Sequence, residues 1–355
     1  MKILVTDGEY KHSISLVKNI KKAYPSANVL VHINDKFGKY FLPSDKICKS
    51  VTGDLHALLS KGDFDVVIPV SGRSVKTVSA LELGQCLVPP TSLLDRALDK
   101  ENLGDLVQGY DIKYPVTSKL NFQRSSDFLF PCIVKSSNET QAKIETIYVD
   151  DALAMKSLEK DLARYLASDI PLIMQQRVHG IPRGYFGIFK DGTCICEFMH
   201  ERVREIPHTG GSSTSARSYC DHLLIEKCRN FLEGLRWSGP VMMEFIFDPL
   251  REVYYLIEIN PKFWGSIDLA HHAGVDFGAA LVSAVLDDGR YVKQSWRETQ
   301  VMWPLDGDLV SIFRSRKFLS ILDYFRPNAH VILGENIIAV ILKILWSLKK
   351  IATRK

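Results

Sequence analysis

The sequence predicts a protein of mixed α/β and α+β class, in which a parallel α/β region precedes a larger antiparallel one. Short apolar strands alternate with amphipathic helices over roughly the first 90 residues, and alternating strands with a tight hairpin signal begin at Gly184. The 355-residue chain is long enough for two or three lobes with separate cores. Its 46% hydrophobic and 24% charged residues exclude the disordered and fibrous classes.

The N-terminal region has the pattern of a parallel sheet covered by helices. Apolar runs predict buried strands at residues 3–6, 29–33 and 66–70. Residues 13–23 carry apolar side chains at helical spacing between the first two of these strands. Ligands of such a sheet lie at the carboxyl ends of the strands, here near residues 7–8 and 71–73. Because no GxGxxG follows the first strand, a dinucleotide site is not expected.

The pair Pro89-Pro90 interrupts the alternation of strands and helices. The sequence after this pair predicts helices and mainly antiparallel strands. Helices are predicted at residues 94–108, 151–166 and 221–235, and strands at 130–135, 171–176, 241–247 and 253–259. Lys190-Asp191-Gly192 predicts a hairpin turn. Because Cys194 and Cys196 are two apart in a strand, they are predicted to share a face and to have a packing role.

Charge and cysteine content exclude several classes of function. The net charge of +4 is weak and evenly spread, which predicts no nucleic-acid partner. The seven cysteines form no CxxC pair and no zinc pattern, so a reducing, cytoplasmic location is expected. The segment MKILVTDGEY predicts a strand rather than a signal peptide, and no apolar run reaches the length that spans a bilayer.

Acidic side chains lie in both strands of the last predicted hairpin. Glu244 belongs to VMMEF, and Glu258 and Asn260 belong to LIEIN, where residues two apart share a face. Two carboxylates and an amide oxygen suit a hard cation such as Mg²⁺. Burying both carboxylates would require a positive group between them. The alternative is a pair of solvated acids at strand ends, and the spacing leaves it open.

Basic side chains form the second set of candidates. Lys135 ends an apolar strand and points either to solvent or to an anion. Arg202 and Arg204, two apart in a strand-like run, are predicted to present two guanidinium groups on one face, beside a flexible loop at 210–214. Such a fork suits a phosphate or acyl phosphate, whereas the loop alone is typical of a surface turn.

Five segments in this order resemble the ATP-grasp superfamily, in particular its stand-alone carboxylate–amine ligases related to carbamoyl-phosphate synthetase and biotin carboxylase. The segments are DKENLGDLVQGYDIKYPVT, FPCIVK, LIMQQRVHG, FMHERVREIPHTGGSST and GPVMMEFIFDP with YYLIEINPKFWGS. The resemblance covers about residues 1–285. It implies an ATP-grasp fold, with a pre-ATP-grasp Rossmann-like domain at 1–92, a small lid subdomain at 93–174, a large subdomain with the Mg-ATP site at 175–300, and a C-terminal helical extension at 301–355.

The resemblance also implies roles for the matched positions. Lys100 and Lys135 match lysines that contact the phosphates. The hinge whose backbone binds adenine is matched by Gln175, Gln176, Arg177 and Val178. The magnesium ligands of the Mg-ATP site are matched by Glu244, Glu258 and Asn260, and the catalytic cations by Arg202, Arg204 and Lys262.

Three positions depart from the family pattern. Gln176 stands where many relatives have glutamate. Lys262 replaces the arginine of the E-x-N-x-R pattern, which keeps the charge but loses the bidentate fork. Residues 136–143, SSNETQAK, contain no glycine where most relatives have a glycine-rich loop over the phosphates, so the close backbone approach that glycine permits is lost.

The activity that the resemblance implies is an ATP-dependent ligation of a small carboxylate to an amine or ammonia through an acyl phosphate. ATP and Mg²⁺, or Mn²⁺ in its place, are the expected cofactors. Two alternatives stay open: an ATP-grasp kinase that phosphorylates a hydroxyl, and a nucleotide-binding partner protein without catalysis.

The C-terminal segment ENIIAVILKILWSLKKIATRK predicts a basic amphipathic helix. From Lys343 onward it carries five basic residues and no acid. Such a helix, at residues 335–355, either lies on an anionic membrane or docks on the protein or on a second subunit.

Overall fold

In a computed structural model, the described residues form three β-sheets flanked by helices; the description omits residues 35–38, 40, 41, 44–46, 123–127, 139–143, 207–210, 294, 335–339, 342 and 346–355. The strands are β1 (Lys2–Val5), β2 (Asn28–His32), β3 (Lys49–Val51), β4 (Val66–Ile68), β5 (Thr117–Lys119), β6 (Cys132–Ser136), β7 (Ile147–Val149), β8 (Leu172–Gln176), β9 (Ile181–Lys190), β10 (Thr193–Ile206), β11 (Ser212–Ser218), β12 (Gly239–Asp248), β13 (Val253–Asn260), β14 (Gln300–Met302) and β15 (Ala329–Val331). The α-helices are α1 (Lys11–Ala23), α2 (Leu55–Lys61), α3 (Gly72–Ala80), α4 (Thr91–Leu98), α5 (Leu103–Leu106), α6 (Ala152–Ala167), α7 (His222–Gly234), α8 (Ile267–Ala273), α9 (Phe277–Leu286) and α10 (Asp308–Ser315). Two 3-10 helices span Pro304–Asp306 and Phe318–Phe325.

The first sheet is parallel, with strand order β3-β2-β1-β4, which confirms the predicted α/β region. Strands β1, β2 and β4 are mainly apolar because helices cover both faces of the sheet there, whereas the edge strand β3 is polar and mostly exposed. At their carboxyl ends Ser71 donates a hydrogen bond from Oγ to Asp7 Oδ1 at 2.9 Å, so the two predicted strand-end turns meet.

The second sheet, with order β5-β8-β6-β7, is antiparallel and packs against α6 around a small apolar core. The third sheet has seven strands in the order β13-β12-β9-β10-β11-β14-β15 and is antiparallel except for the β14–β15 pair. Helices α8 and α9 pack on one face of it, and α7 packs on the other. The domain boundaries expected after residues 174 and 300 fall inside β8 and β14.

The hairpin turn predicted at Lys190-Asp191-Gly192 is confirmed. Strand β9 ends at Lys190 and β10 begins at Thr193. The φ angles of Asp191 and Gly192 are +49° and +87°. Two consecutive residues with positive φ are the requirement of the type I′ hairpin turn, which matches the right-handed twist of the strands.

The long helix predicted at 94–108 is wrong, since the structure has two short helices, α4 and α5, with a break at Asp99 and Lys100. The Asp99 carboxylate accepts hydrogen bonds from the Glu101 N–H at 3.0 Å and from Asn102 Nδ2 at 2.7 Å. A short acidic side chain that binds the following backbone in this way competes with the helix. The break frees the Lys100 N–H, which donates to the Ser137 carbonyl at 3.0 Å.

The prediction that Cys194 and Cys196 share a face is also wrong. The pairing of β10 with β9 shifts by one residue between them, which is a β-bulge. A bulge interrupts the alternation of side chains, so the rule for residues two apart fails there. Cys196 lies in the core beneath α8 and α9, whereas Cys194 packs against the core beneath α7.

The predicted C-terminal helix falls mostly outside the described residues. Val340, Ile341 and residues 343–345 are described, and they are helical. Within the described part of the chain no single helix is long and apolar enough to cross a membrane. The helices Ile267–Ala273 and Phe277–Leu286 together meet the criterion of length and composition, but they are bent by 88° at the break between them.

Gly239 should be among the positions least tolerant of a side chain. Its φ is +98°, and a Cβ built there would lie 3.0 Å from the Val88 Cα and still closer to the Leu87 carbonyl oxygen. We expect Gly239→Ala to lower the free energy of unfolding by at least about 3 kcal/mol, measured by chemical denaturation, because backbone strain and overpacking add. Gly274→Ala is the matched control, since its φ is +106° but no described atom lies within 4 Å of the built Cβ. The control should cost about 1–2 kcal/mol, and equal losses for both variants would contradict the packing argument.

Candidate active site

The β12–β13 hairpin brings the predicted acidic residues together. Its register places Glu244 directly opposite Glu258, and Asn260 follows two residues later on the same face. The Asn260 Nδ2 donates a hydrogen bond to Glu258 Oε1 at 2.6 Å and lies 3.5 Å from Glu244 Oε1. The side chains of Glu244 and Glu258 are only about one-fifth exposed, so these are not solvated acids at strand ends.

Lys100 reaches this acidic group from the break between α4 and α5. Its Nζ lies 2.7 Å from Glu258 Oε2, and its side chain is 6% exposed. The backbone of Lys100 is held on two sides, by its N–H bond to Ser137 and by the Tyr114 hydroxyl, which donates to the Lys100 carbonyl at 2.6 Å. Lys100 therefore contacts the third sheet through its side chain and the segment that follows β6 of the second sheet through its backbone.

Lys135, in β6, is the second cation of this group. It is buried beside the segment that binds Lys100, and its positive charge acts on Glu258. Burial alone would raise the pKa of Glu258, but Lys100 and Lys135 hold it well below the ordinary value. Lys135 therefore points to the buried acidic group, and this excludes the alternative in which it extends to solvent.

Glu244 has the opposite electrostatic character. Its pKa is raised to about 7, chiefly by burial and also by the nearby Glu258 carboxylate, against the opposing effect of Arg202. Arg202 donates to Glu244 Oε2 and also lies 3.5 Å from Glu205 Oε2. The positive charge near Glu244 therefore does not offset its burial. We call this group of residues the carboxylate–lysine cluster: Glu244, Glu258, Asn260, Lys100, Lys135 and Arg202.

Arg204 does not join Arg202, so the predicted fork of two arginines is wrong. The pairing of β10 with β11 shifts at Arg202/Arg204 and again at Arg204/Glu205, and these bulges change the face on which each side chain lies. Arg204 binds Asp308 through two hydrogen bonds of 2.8 and 2.9 Å and also pairs with Asp323. Its guanidinium therefore fastens the segment after residue 307 to the third sheet.

The loop predicted at 210–214 is also different where it is described. Residues 212–214 begin β11 and pair with β10, because the hydrogen-bonding edge of β10 continues past the bulges. The Gly211 carbonyl accepts a hydrogen bond from Arg202 Nη1 at 3.2 Å. The glycine-free segment 136–143 is described only to Asn138, and residues 139–143 lie outside the described residues.

The predicted adenine hinge comprises the last two residues of β8, an interior strand of the second sheet, and the two residues that follow it. The N–H groups of Gln176 and Arg177 bind the carbonyls of Val116 and Pro131 at 2.8 and 3.1 Å. Gln175 is fully buried and donates from Nε2 to Thr117 Oγ1 at 2.9 Å, while its Oε1 has no hydrogen-bond partner among the described residues. A buried carbonyl oxygen without a partner is costly, and this atom is available to accept a hydrogen bond.

Lys262 lies beyond the end of β13, on the side of the first sheet. Its charge and that of Lys11, after the dominant effect of burial, lower the pKa of His12 to about 3, so Lys262 and His12 are close. His12 stacks on Tyr10 at a ring-centroid distance of 5.1 Å. Helix α1 is held in this position by Ser15, whose Oγ donates to Asp268. His12 was missed by the sequence reasoning, because only the packing of α1 against α8 and α9 brings it to Lys262.

The donor set of the cluster fits a hard divalent cation. Two carboxylates and an amide oxygen are oxygen ligands of the type that Mg²⁺ takes, and the raised pKa of Glu244 shows that positive charge is lacking there. No group of three or more His, Cys, Asp or Glu side chains suited to a metal occurs among the residues that the structure describes. The set contains only two such side chains, and the third is the Asn260 amide.

Comparisons with known proteins place this chain among proteins of related architecture. No protein-family model matches it. The C-terminal section of the carbamoyl phosphate synthase large chain of Methanopyrus kandleri is 21% identical over 235 residues, which are 61% of this chain and 41% of that protein. The chain therefore spans less than half the length of this relative.

Solved structures match over most of the chain at low sequence identity. The L-amino acid ligase from Bacillus licheniformis is 14% identical, with a TM-score of 0.60 over 80% of this chain and 74% of that one. The N5-carboxyaminoimidazole synthetase from Staphylococcus aureus, solved with ADP, is 12% identical, with a TM-score of 0.67 over 91% and 86% of the two chains. At such identities the likeness concerns the fold.

The contacts between Arg204 and Asp308 lead to a prediction about stability. Asp308 is fully buried and accepts hydrogen bonds from Arg204, Thr214 and Tyr324. We expect Asp308→Ala to lower the free energy of unfolding by about 3–5 kcal/mol, because it leaves a buried guanidinium undercompensated. Asp161→Ala, which breaks an exposed pair with Arg164, is the matched control and should cost below about 1 kcal/mol. Chemical denaturation measures both, and a small loss for Asp308→Ala would mean that this network adds little stability.

Proposed function

The chain has the ATP-grasp fold, and we propose that it is an ATP-dependent ligase that joins a small carboxylate to an amine or ammonia. The observation that carries the proposal is the ion pair between Lys100 and Glu258 at 2.7 Å, which lies where the end of β6 in the second sheet meets the third sheet. It brings a predicted phosphate-binding cation to a predicted metal ligand. The domain division expected from the sequence, with residues 1–92 ahead of the two lobes, belongs to the same proposal.

The nucleotide would lie between the second and third sheets. Its phosphates would bind Lys100 and Lys135, whose charges balance Glu258 in this structure. Adenine would bind at the hinge through Val178, because the N–H groups of Gln176 and Arg177 are already used. The unpaired Oε1 of Gln175 supports a ligand donor close to this hinge. Entry of Mg-ATP therefore exchanges the Lys100–Glu258 pair for a lysine–phosphate contact and a carboxylate–metal contact.

Glu244, Glu258 and Asn260 would hold Mg²⁺. The metal, when bound, supplies neutralisation of charge on the phosphates during phosphoryl transfer. Arg202 would hold Glu244 in place through their ion pair. The residues of this chain contribute mainly orientation and charge, because phosphoryl transfer requires little covalent chemistry from the protein.

The reaction proceeds in two substitutions in this proposal. A carboxylate oxygen of the substrate attacks the γ-phosphorus of ATP, the bond to the β-phosphate oxygen breaks, and ADP leaves. The amine nitrogen then attacks the acyl carbon of the resulting acyl phosphate, phosphate leaves, and the nitrogen loses a proton. Lys262, which is close to His12 of α1, would bind the carboxylate from the side of the first sheet. The ligases of similar fold support this class of substrate.

Substitution of the metal ligand tests the site. We expect Glu258→Gln to lower magnesium-dependent ADP formation by about 100-fold or more, since it removes a charge from the metal site and the partner of Lys100. The variant should still fold, because the change is isosteric, but its thermal midpoint should fall, because Lys100 and Lys135 lose their buried partner. Glu233→Gln, the same change at an exposed position on α7, is the control and should leave the rate unchanged. Normal ADP formation by a folded Glu258→Gln protein would remove Glu258 from the active site.

The stoichiometry of the products tests the reaction class. With ATP, Mg²⁺, pooled small carboxylates and pooled amines, we expect ADP and inorganic phosphate in a 1:1 ratio, and a much lower rate when either pool is left out. The physical reason is that phosphate leaves only when the amine displaces it from the acyl group. ADP without phosphate would instead establish a kinase, and bound ATP without turnover would establish a non-catalytic nucleotide-binding protein.

A further inference from the structure

The segment after α10 carries an apolar surface that faces solvent. The 3-10 helix Phe318–Phe325 has no buried residue. Leu319 is 82% exposed, Leu322 63% and Phe325 79%, and Phe318 and Ile321 are also exposed. Phe313, at the end of α10, extends the surface through an edge-on contact with Phe318 at a ring-centroid distance of 5.7 Å. These six residues are called the C-terminal apolar surface.

The polar side chains of the same 3-10 helix hold it against the protein. Asp323 pairs with Arg204 of β10, and the Tyr324 hydroxyl donates to the buried Asp308 at 2.7 Å. A helix on a globular protein usually buries its apolar side chains and exposes its polar ones. Here the arrangement is reversed, and the contacts of Asp323 and Tyr324 maintain it. A contiguous apolar surface kept exposed in this way is typical of an interaction site.

The charges around the C-terminal apolar surface are basic. Arg314, Arg316, Lys317 and Arg326 are exposed within residues 313–326, where Asp323 is the single acid in the sequence. The charge of Asp323 is already balanced by Arg204 and by Arg326, whose Nη2 lies 2.9 Å from its Oδ1.

Apolar side chains surrounded by basic ones fit the surface of an anionic lipid bilayer. The apolar side chains enter the interface, and each lysine or arginine near anionic headgroups adds attraction. A second copy of this chain fits less well, because a two-fold interface would place the same basic residues against each other. We propose that residues 313–326 form a binding site for anionic lipid bilayers, which holds this chain at a membrane surface without spanning it.

The experiment measures the partition of the full chain into vesicles of phosphatidylcholine alone and of phosphatidylcholine with 30% phosphatidylglycerol. We expect binding to the anionic vesicles only, weakened by salt. The variant L319S/L322S/F325S should lose at least about 10-fold in the partition coefficient, since it removes apolar surface without adding charge. Its matched control is L153S/L223S/L250S, three leucines that are exposed elsewhere, and this variant should bind as the wild type does.

A second pair of variants separates charge from apolar contact. R316Q/K317Q should lose roughly 30-fold in the partition coefficient, because each basic residue near an anionic surface contributes about fivefold. The control K156Q/K160Q removes two exposed lysines of α6 and should change binding less than twofold. All variants keep the carboxylate–lysine cluster intact, so nucleotide binding checks their folding independently of lipid.

Several outcomes would overturn the proposal. These are absence of wild-type binding to anionic vesicles, undiminished binding by L319S/L322S/F325S, and equal losses in the control variants. Light scattering adds another, because a dimer that L319S/L322S/F325S converts to monomer, in a protein that ignores vesicles, would make this surface a contact between copies. Selective loss of anionic-vesicle binding in the two test variants alone would support the bilayer site.

Discussion

The active-site geometry depends on one constraint, the burial of two carboxylates on facing strands. Glu244 and Glu258 are opposite each other in β12 and β13, so their charges must be balanced locally. Lys100 and Arg202 supply the balance from a break between helices and from β10. Because a buried carboxylate without a cation would be costly, Lys100 is held to Glu258 of the third sheet by its side chain, while its backbone binds Ser137 at the end of β6.

Because of the bulges in β10, two arginines of this strand contact different parts of the protein. Arg202 turns toward Glu244 in the carboxylate–lysine cluster, whereas Arg204 turns toward Asp308 and Asp323. The second contact fixes the 3-10 helix Phe318–Phe325 with its apolar side chains outward. Nearby residues of one strand therefore contact both the proposed active site and the segment that carries the proposed lipid-binding surface.

Periodicity predicted the strands and helices well where each segment keeps a regular pattern. The hairpin turn at Asp191-Gly192 and the convergence of Glu258 with Asn260 follow from local backbone geometry, which spacing expresses directly. The predictions failed where a single residue changes the register. Asp99 ends α4 by binding the backbone after it, and the bulges of β10 arise from cross-strand pairing that the sequence of one strand does not contain.

The sequence by itself determined the order of the elements, the acidic hairpin and the resemblance that named the fold, because these depend on residue type and on spacing along the chain. Only the tertiary structure decided which charges meet. Lys100 contacts Glu258, which is 158 positions away in the sequence, and His12 of the N-terminal helix α1 lies close to Lys262. Arg204 binds Asp308 instead of joining the candidate site, and the apolar side chains after residue 317 face solvent. The packing of distant segments determines both arrangements.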